Sequence, residues 1–211
     1  MILLPEGHIL TFLMKGENMS NTFETTLTSA LIAAQEVAGE LLADSLPDRY
    51  KHSQAVSAKA CEIADNLGYP QEVCVHLRIA GILHDIGYSP GLVQTGQHAY
   101  DGGLFLLEQP GLSNFAPDVG WHSNAKWEGR ARGLEEPLIP QPLTNLHRIL
   151  WIADFTTSAT GEPVTLQERI QGIRERYDED SPVIKALDDS MPELSKAAEF
   201  CGIELYEPTI A

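Results

Sequence analysis

Apolar residues recur along most of this chain at the three- and four-residue spacing of amphipathic helices, and strand-like alternation is nearly absent. The first helix is predicted over about residues 23–46, after the polar residues Ser20 and Asn21, which are preferred at helix starts. Pro47 suits the first turn of a second helix, which continues to Leu67 and ends at the following glycine. The pattern therefore favours an all-α fold.

The later elements follow from the same spacing. The third predicted helix, about residues 71–86, is apolar on nearly every side and should be a central buried helix. Two shorter helices are predicted over about residues 98–107 and 117–124, and a longer one over about residues 143–157. Residues 125–141 combine charges with glycines and prolines, which predicts a long loop that could act as a lid. Amphipathic helices complete the chain, with Ser181-Pro182 and Met191-Pro192 as predicted start signals.

The length of 211 residues, with 43% hydrophobic content, predicts one domain over residues 19–211. Residues 1–18 lack a clear amphipathic period, and either Met1 or Met19 could be the natural start. Alternatively, these residues form an N-terminal arm that packs on a neighbouring subunit, as in a homodimer.

Charge and composition exclude several kinds of partner. The net charge of −16 argues against a nucleic-acid-binding surface, which requires clustered Lys and Arg. A small anionic substrate would need a local positive site. No apolar run approaches the roughly 20 residues that a membrane span requires. The three cysteines have no metal-binding spacing, and the N-terminus has no secretion signal, so we expect a cytoplasmic protein with reduced thiols.

Two histidines and two carboxylates fall on apolar faces of predicted helices. His52 shares a face with Val56 and Ile63, although a lone inward histidine is usually a core residue with a hydrogen-bond partner. His84 and Asp85 end the buried third helix, where an unpaired carboxylate would be costly.

Asp154 poses the same problem within the apolar segment 149–155. Structural partners for the two carboxylates are available in sequence, with Arg78 for Asp85 and Arg148 for Asp154. A metal ion shared by both carboxylates and both histidines explains their burial more simply.

This order of residues, His52, then His84-Asp85, then Asp154, resembles the H…HD…D signature of the HD-domain phosphohydrolases. The resemblance covers about residues 47–160. It implies a compact helical bundle in which the four residues are ligands of one divalent metal ion.

Two further histidines extend the pattern to that of HD proteins with two metal ions. The resemblance implies that His98 and His122 bind a second ion and that Asp85 bridges both ions. The alternative is that both histidines are exposed to solvent. We expect iron or manganese for such a site, while magnesium, nickel, cobalt or zinc also fit the ligand types.

Several residues could assist the chemistry. Arg49 lies one turn before His52 and could bind phosphate, as could Lys126, Arg130 and Arg132 on the predicted loop. Asp85 has a catalytic role as the bridging ligand, and Asp101, one turn after His98, is a second catalytic candidate that could transfer a proton.

The resemblance implies hydrolysis of a phosphoester or phosphoanhydride bond by a metal-activated water molecule, with a nucleotide or another small phosphorylated metabolite as substrate. Two alternatives remain. Some HD-fold proteins with the same ligands hold two irons and cleave small polyols or phosphonates with oxygen. Others are non-catalytic domains that sense a ligand.

Overall fold

The computed structural model describes residues 17–142 and 144–205, with side chains from residue 26 onward. Apart from an isolated antiparallel bridge between Thr157 and Pro163, the regular structure of this part of the chain is helical, which confirms the all-α prediction. The α-helices are α1 (Glu17–Leu42), α2 (Pro47–Asn66), α3 (Gln71–Leu83), α4 (His98–Leu107), α5 (Ala116–Gly120), α6 (Ala125–Ala131), α7 (Thr144–Phe155), α8 (Leu166–Arg176) and α9 (Pro182–Cys201). Short 3-10 turns cover Ile86–Tyr88 and Ser113–Phe115.

Helix α3 lies at the centre of the fold, as its continuous apolar sequence predicts. One side of the helix, with Leu77 and Ala80, packs into a core formed with α2, α7, α8 and α9. Its other side, with Ile79 and Ile82, packs into a second core formed with α1, α4 and α5. Because both sides are covered by apolar side chains, the end of α3 is held deep inside the molecule.

Two glycines let backbone segments approach closely near the end of α3. A Cβ atom on Gly81 would lie 2.7 Å from the Cα atom of Ser57 on α2. A Cβ atom on Gly87 would collide with the carbonyl group of His98 and would lie 2.6 Å from the amide nitrogen of Gly102, both on α4. These close contacts bring the end of α3 against α2 and the start of α4.

Helix α1 begins earlier than predicted, at Glu17 rather than near residue 23. Ser20 and Asn21 lie inside the helix, because residues preferred at helix starts are also tolerated within it, and residues 17–38 contain no proline or glycine. Residues 1–16 lie outside the described residues, so the N-terminal arm stays a prediction.

The predicted loop over residues 125–141 begins as helix α6, which packs against α9. Gly129 indicated a loop in the sequence, but in the structure it provides space for the hydroxyl group of Tyr100. The prediction of a free lid is therefore wrong for residues 125–131.

Three helix boundaries also differ from the predictions. Pro192 lies inside α9, so it does not start a helix. Helix α3 ends at Leu83 and is followed by the short 3-10 turn, and α5 ends at Gly120. Within the described residues, no helix is long and apolar enough to cross a membrane.

Candidate metal centre

The structure brings the six predicted metal ligands together in one cluster, and all of them except the fully buried His84 line one cavity, which we call the metal cavity. They come from α2, the end of α3, the start of α4, the segment after α5, and α7. Five are buried and His98 is half-buried. The six residues are His52, His84, Asp85, His98, His122 and Asp154.

The Asp85 carboxylate lies between two pairs of imidazole rings. Its Oδ2 atom is 3.4 Å from Nε2 of His84 and 3.9 Å from Nε2 of His52. Its Oδ1 atom is 3.4 Å from Nε2 of His98 and 3.8 Å from Nε2 of His122. Each carboxylate oxygen thus faces a different histidine pair, as a carboxylate that bridges two ions would.

Backbone carbonyl groups orient three of the four rings. The Nδ1 atoms of His52, His84 and His122 lie 2.7–2.8 Å from the carbonyl oxygens of Ser158, Gly81 and Val119, respectively. A carbonyl oxygen can only accept a hydrogen bond, so each Nδ1 carries the proton. When such a ring is neutral, Nε2 keeps a lone pair, the arrangement preferred for a histidine metal ligand. His52 differs because its Nε2 atom lies 3.2 Å from Oδ1 of Asp154; burial lowers the pKa of His52, but the hydrogen bond and charge of Asp154 outweigh it and raise that pKa.

The Nε2 atoms of His84, His98 and His122 are suited to bind a metal ion. Nε2 of His84 is fully buried and has no hydrogen-bond partner among the described residues. Burial lowers the pKa of His84 to about 4, so this nitrogen is unprotonated at neutral pH. Nε2 atoms of His98 and His122 lie only 3.1 Å apart, close to the spacing of about 3 Å expected for adjacent ligands of one ion.

Hydrogen bonds hold Asp154 in place. Its Oδ1 atom lies 3.2 Å from Nε2 of His52 and 3.3 Å from Nη2 of Arg169, while Oδ2 accepts a 2.5 Å hydrogen bond from Ser123. Burial opposes ionisation of Asp154, but the His52 hydrogen bond and the Arg169 charge outweigh it and hold its pKa well below the usual range. Asp154 is therefore a carboxylate at neutral pH.

Arg49 is the ion-pair partner of Asp85. Its Nη1 atom lies 2.6 Å from Oδ2 of Asp85, and its guanidinium group lies 3.6 Å above the Tyr88 ring. Tyr88 in turn stacks on His98, with ring centres 4.0 Å apart. Burial opposes ionisation of Asp85, but neighbouring His84 and Arg49 outweigh it, and the pKa of Asp85 is strongly lowered.

The two structural partners suggested by the sequence do not pair with these carboxylates. Asp85 pairs with Arg49, and the buried Nε atom of Arg78 has no hydrogen-bond partner in the described part of the chain. Asp154 pairs with Arg169, while the guanidinium group of Arg148 lies 5.7 Å from the ring centre of Phe200. Arg78 and Arg148 were suggested because each lies close in sequence to its carboxylate, and such spacing does not show which residue of another helix lies opposite.

Asp101 does not line the metal cavity in the described structure. It is fully buried, and its carboxylate accepts hydrogen bonds from the backbone and hydroxyl group of Thr95 and from the backbone of Gly96. These bonds fix the loop that leads into His98. The geometry favours a positioning role for Asp101 over direct proton transfer.

The basic residues predicted to bind phosphate separate into two groups. Arg49 and Arg132 line the metal cavity. Lys126 and Arg130 line a different cavity, and Arg130 pairs with Glu136 at 3.0 Å. The structure therefore does not bring Lys126 and Arg130 to the six metal ligands.

Sequence reasoning missed several residues of this cavity. Ser123 and Arg169 contact Asp154, and Tyr88 supports both Arg49 and His98. Ser123 has a positive φ of 52°, which is rare for a residue other than glycine and is not readable from sequence. The contact of Arg169 with Asp154 could have been predicted, because its helix follows Asp154 closely in sequence and an arginine there can reach back to the carboxylate.

Comparison with protein families agrees with this site. A model of the HD domain matches residues 49–158, about half of the 211-residue chain. The chain therefore belongs to the HD-domain family, which includes metal-dependent phosphohydrolases as well as non-catalytic members, and whose domains bind divalent metal ions. No curated protein and no solved structure matches the chain.

Proposed function

We propose that this protein is a metal-dependent hydrolase that cleaves a phosphoester or phosphoanhydride bond in a nucleotide or another small phosphorylated metabolite. The observation that carries the proposal is the position of Asp85, whose two oxygens face two separate histidine pairs. His52, His84 and Asp154 would hold one divalent ion, and His98 and His122 the other, with Asp85 between them. Such ions lower the pKa of a bound water molecule and neutralise phosphate charge.

The lining of the cavity favours an anionic substrate. In a chain with a net charge of −16, four arginines and no lysine of the described residues line the metal cavity. They are Arg49, Arg132, Arg169 and Arg176. Guanidinium groups bind phosphate oxygens through paired hydrogen bonds, so they suit a phosphoryl group better than a neutral polyol. The cavity volume of about 200 Å³ favours a small substrate.

The positions of these arginines suggest different roles. Arg49 and Arg169 each pair with a predicted ligand carboxylate, so they balance charge at the centre. Arg132 pairs with Glu128 at 2.6 Å. Arg176, exposed at the end of α8, donates from Nε to the Gly172 carbonyl and makes no ion pair within the described residues, so its terminal nitrogens are the best placed to contact a substrate phosphate.

A phosphate-release assay of the metal-loaded protein tests this proposal. We expect hydrolysis of at least one compound in a panel of nucleotides and small phosphoesters, at the same rate with and without oxygen. Turnover that requires oxygen would instead support the di-iron oxygenase of the same fold. Absence of turnover under both conditions, together with tight binding of a panel member, would support a sensing domain.

A matched arginine pair on α8 tests the assignment of the substrate contact. Arg176→Gln should raise KM several-fold with little change in metal content, because it removes a phosphate contact and no metal ligand. Arg174→Gln is the control, since Arg174 pairs with Asp188 and does not line the metal cavity. Equal kinetics for the two variants would contradict a substrate role for Arg176.

A further inference from the structure

A second cavity, which we call the indole cavity, lies beside the metal centre. Its volume is about 430 Å³. One short segment lines both cavities: His122 and Ser123 face the metal cavity, whereas Trp121, Lys126 and Trp127 line the indole cavity. The proposed phosphohydrolase activity gives the indole cavity no role.

Two indole rings form fixed apolar walls of this cavity. Trp121 is only 4% exposed, and its indole nitrogen donates a 3.1 Å hydrogen bond to the carbonyl of Ile139. Trp127 packs against the buried Trp151, with ring centres 5.7 Å apart. Rigid aromatic walls of this kind favour a flat ring as ligand, because stacking then costs little conformational entropy.

The charge of the lining favours an anion. Lys126 forms no ion pair with any residue that the structure describes, while Arg130 is paired with Glu136 at 3.0 Å. The acidic residue of the lining, Glu193, is itself paired with Lys196 at 2.7 Å. The cavity therefore offers one uncompensated ammonium group, in a chain whose net charge is −16.

We propose that the indole cavity binds a mononucleotide-like ligand, with one planar heteroaromatic ring and one phosphoryl group. The ring would pack against Trp127, and the phosphoryl group would pair with Lys126. The amide of Gln141 and the hydroxyl group of Thr144, which also line the cavity, are hydrogen-bonding groups for the polar edge of such a ring. One available cation matches one phosphoryl group better than a polyphosphate.

Tryptophan fluorescence reports directly on this cavity. The chain has three tryptophans, of which Trp121 and Trp127 line the indole cavity and Trp151 packs against Trp127. We expect adenosine monophosphate to cause a saturable change in fluorescence. Adenosine, which lacks the charge, and inorganic phosphate, which lacks the ring, should bind at least about tenfold more weakly, equivalent to 1.4 kcal/mol.

Substitutions separate the two cavities. Lys126→Gln should weaken binding of adenosine monophosphate about tenfold. The control Lys59→Gln, whose lysine pairs with Glu62 on α2, should leave it unchanged. Binding should also persist in Asp85→Asn, which alters only the metal cavity. The proposal is overturned by the absence of a saturable change, by equal binding of phosphate, or by loss of binding in Asp85→Asn with retention in Lys126→Gln.

Discussion

His84, a predicted ligand in the metal centre, and His147, in the wall of the indole cavity, are held differently. Burial lowers the pKa of both His84 and His147 to about 4, so both rings are neutral at pH 7. His84 donates from Nδ1 to the Gly81 carbonyl and presents Nε2 to Asp85. His147, beside the indole cavity, has a buried Nδ1 atom without a hydrogen-bond partner among the described residues. A depressed pKa alone therefore does not identify a metal ligand; His84 is distinguished by the further histidines and carboxylates whose ligand atoms cluster with its own.

The strongest test of this comparison is removal of the shared carboxylate. Asp85→Asn should abolish hydrolysis and lower metal affinity by more than the ten- to hundredfold typical of residues that only support a ligand. The loss affects both proposed ions, because each oxygen of Asp85 faces one histidine pair. Calorimetric metal titration measures the affinity.

A second buried carboxylate serves as the control for that substitution. Asp118 is 5% exposed and lies 2.8 Å from Nε2 of His76, outside the metal cavity. Asp118→Asn should leave metal affinity within about twofold of the wild-type value, since the substituted group is not a ligand. Similar losses in the two variants would show that general destabilisation, and not ligand removal, is being measured.

Loss of one histidine on the Oδ1 side should have a smaller effect. His98→Ala or His122→Ala should reduce the metal content by about one ion while the other site keeps its ligands. Elemental analysis of purified variants measures this, with His76→Ala as the matched histidine control outside the cavity. An unchanged metal content in both ligand variants would show that these two histidines do not bind metal.

The close approach of Gly87 to the backbone of His98 helps to place His98 beside Asp85, and a methyl group added at Gly87 would prevent it. Gly87→Ala should destabilise the fold by about 3 kcal/mol, because its Cβ atom would collide with the His98 carbonyl. In contrast, Gly172→Ala on α8 meets no atom within 4 Å and should stabilise the fold by about 0.5–1 kcal/mol. Chemical denaturation of both variants tests the difference, and equal stabilities would contradict the close approach.

The smallest expected effect on metal binding comes from removing the Ser123 hydroxyl group, which orients Asp154. Ser123→Ala removes the 2.5 Å hydrogen bond to Oδ2 and should weaken metal binding about ten- to a hundredfold. Ser45→Ala is the control, because its hydroxyl group donates to the Leu41 carbonyl near the end of α1 and lies outside the metal cavity in the described structure. If both variants bind metal like the wild type, the orientation of Asp154 does not depend on Ser123.

The fold and the burial of His52, His84, Asp85 and Asp154 were predictable from helical periodicity, whereas His98 and His122 entered only through the family resemblance. The apolar faces of α2 and α7 place His52 and Asp154 inside the molecule, and Asp85 is buried just after the end of α3, which proved central as expected. A helix-ending glycine and a proline at a first helical position also predicted the bounds of α2 closely.

Contacts between distant elements were not predictable in the same way. Arg49, and not Arg78, reaches Asp85, because spacing along one helix does not show which neighbouring helix lies opposite. Lys126 looked like a phosphate ligand beside the metal centre, yet α6 packs against α9 and places it in the indole cavity. Gly129 looked like a loop residue but is required by packing against Tyr100.

The central claim is that this cavity is a metal centre, and metal analysis combined with thermal melts tests it most directly. Protein purified without a chelator should contain about one to two ions per chain, with iron or manganese as the expected elements. Its Tm should fall when a chelator removes them and recover when the metal is restored, because ligand binding stabilises the folded state. Metal-free protein whose Tm is unchanged by added iron, manganese or zinc would contradict the account.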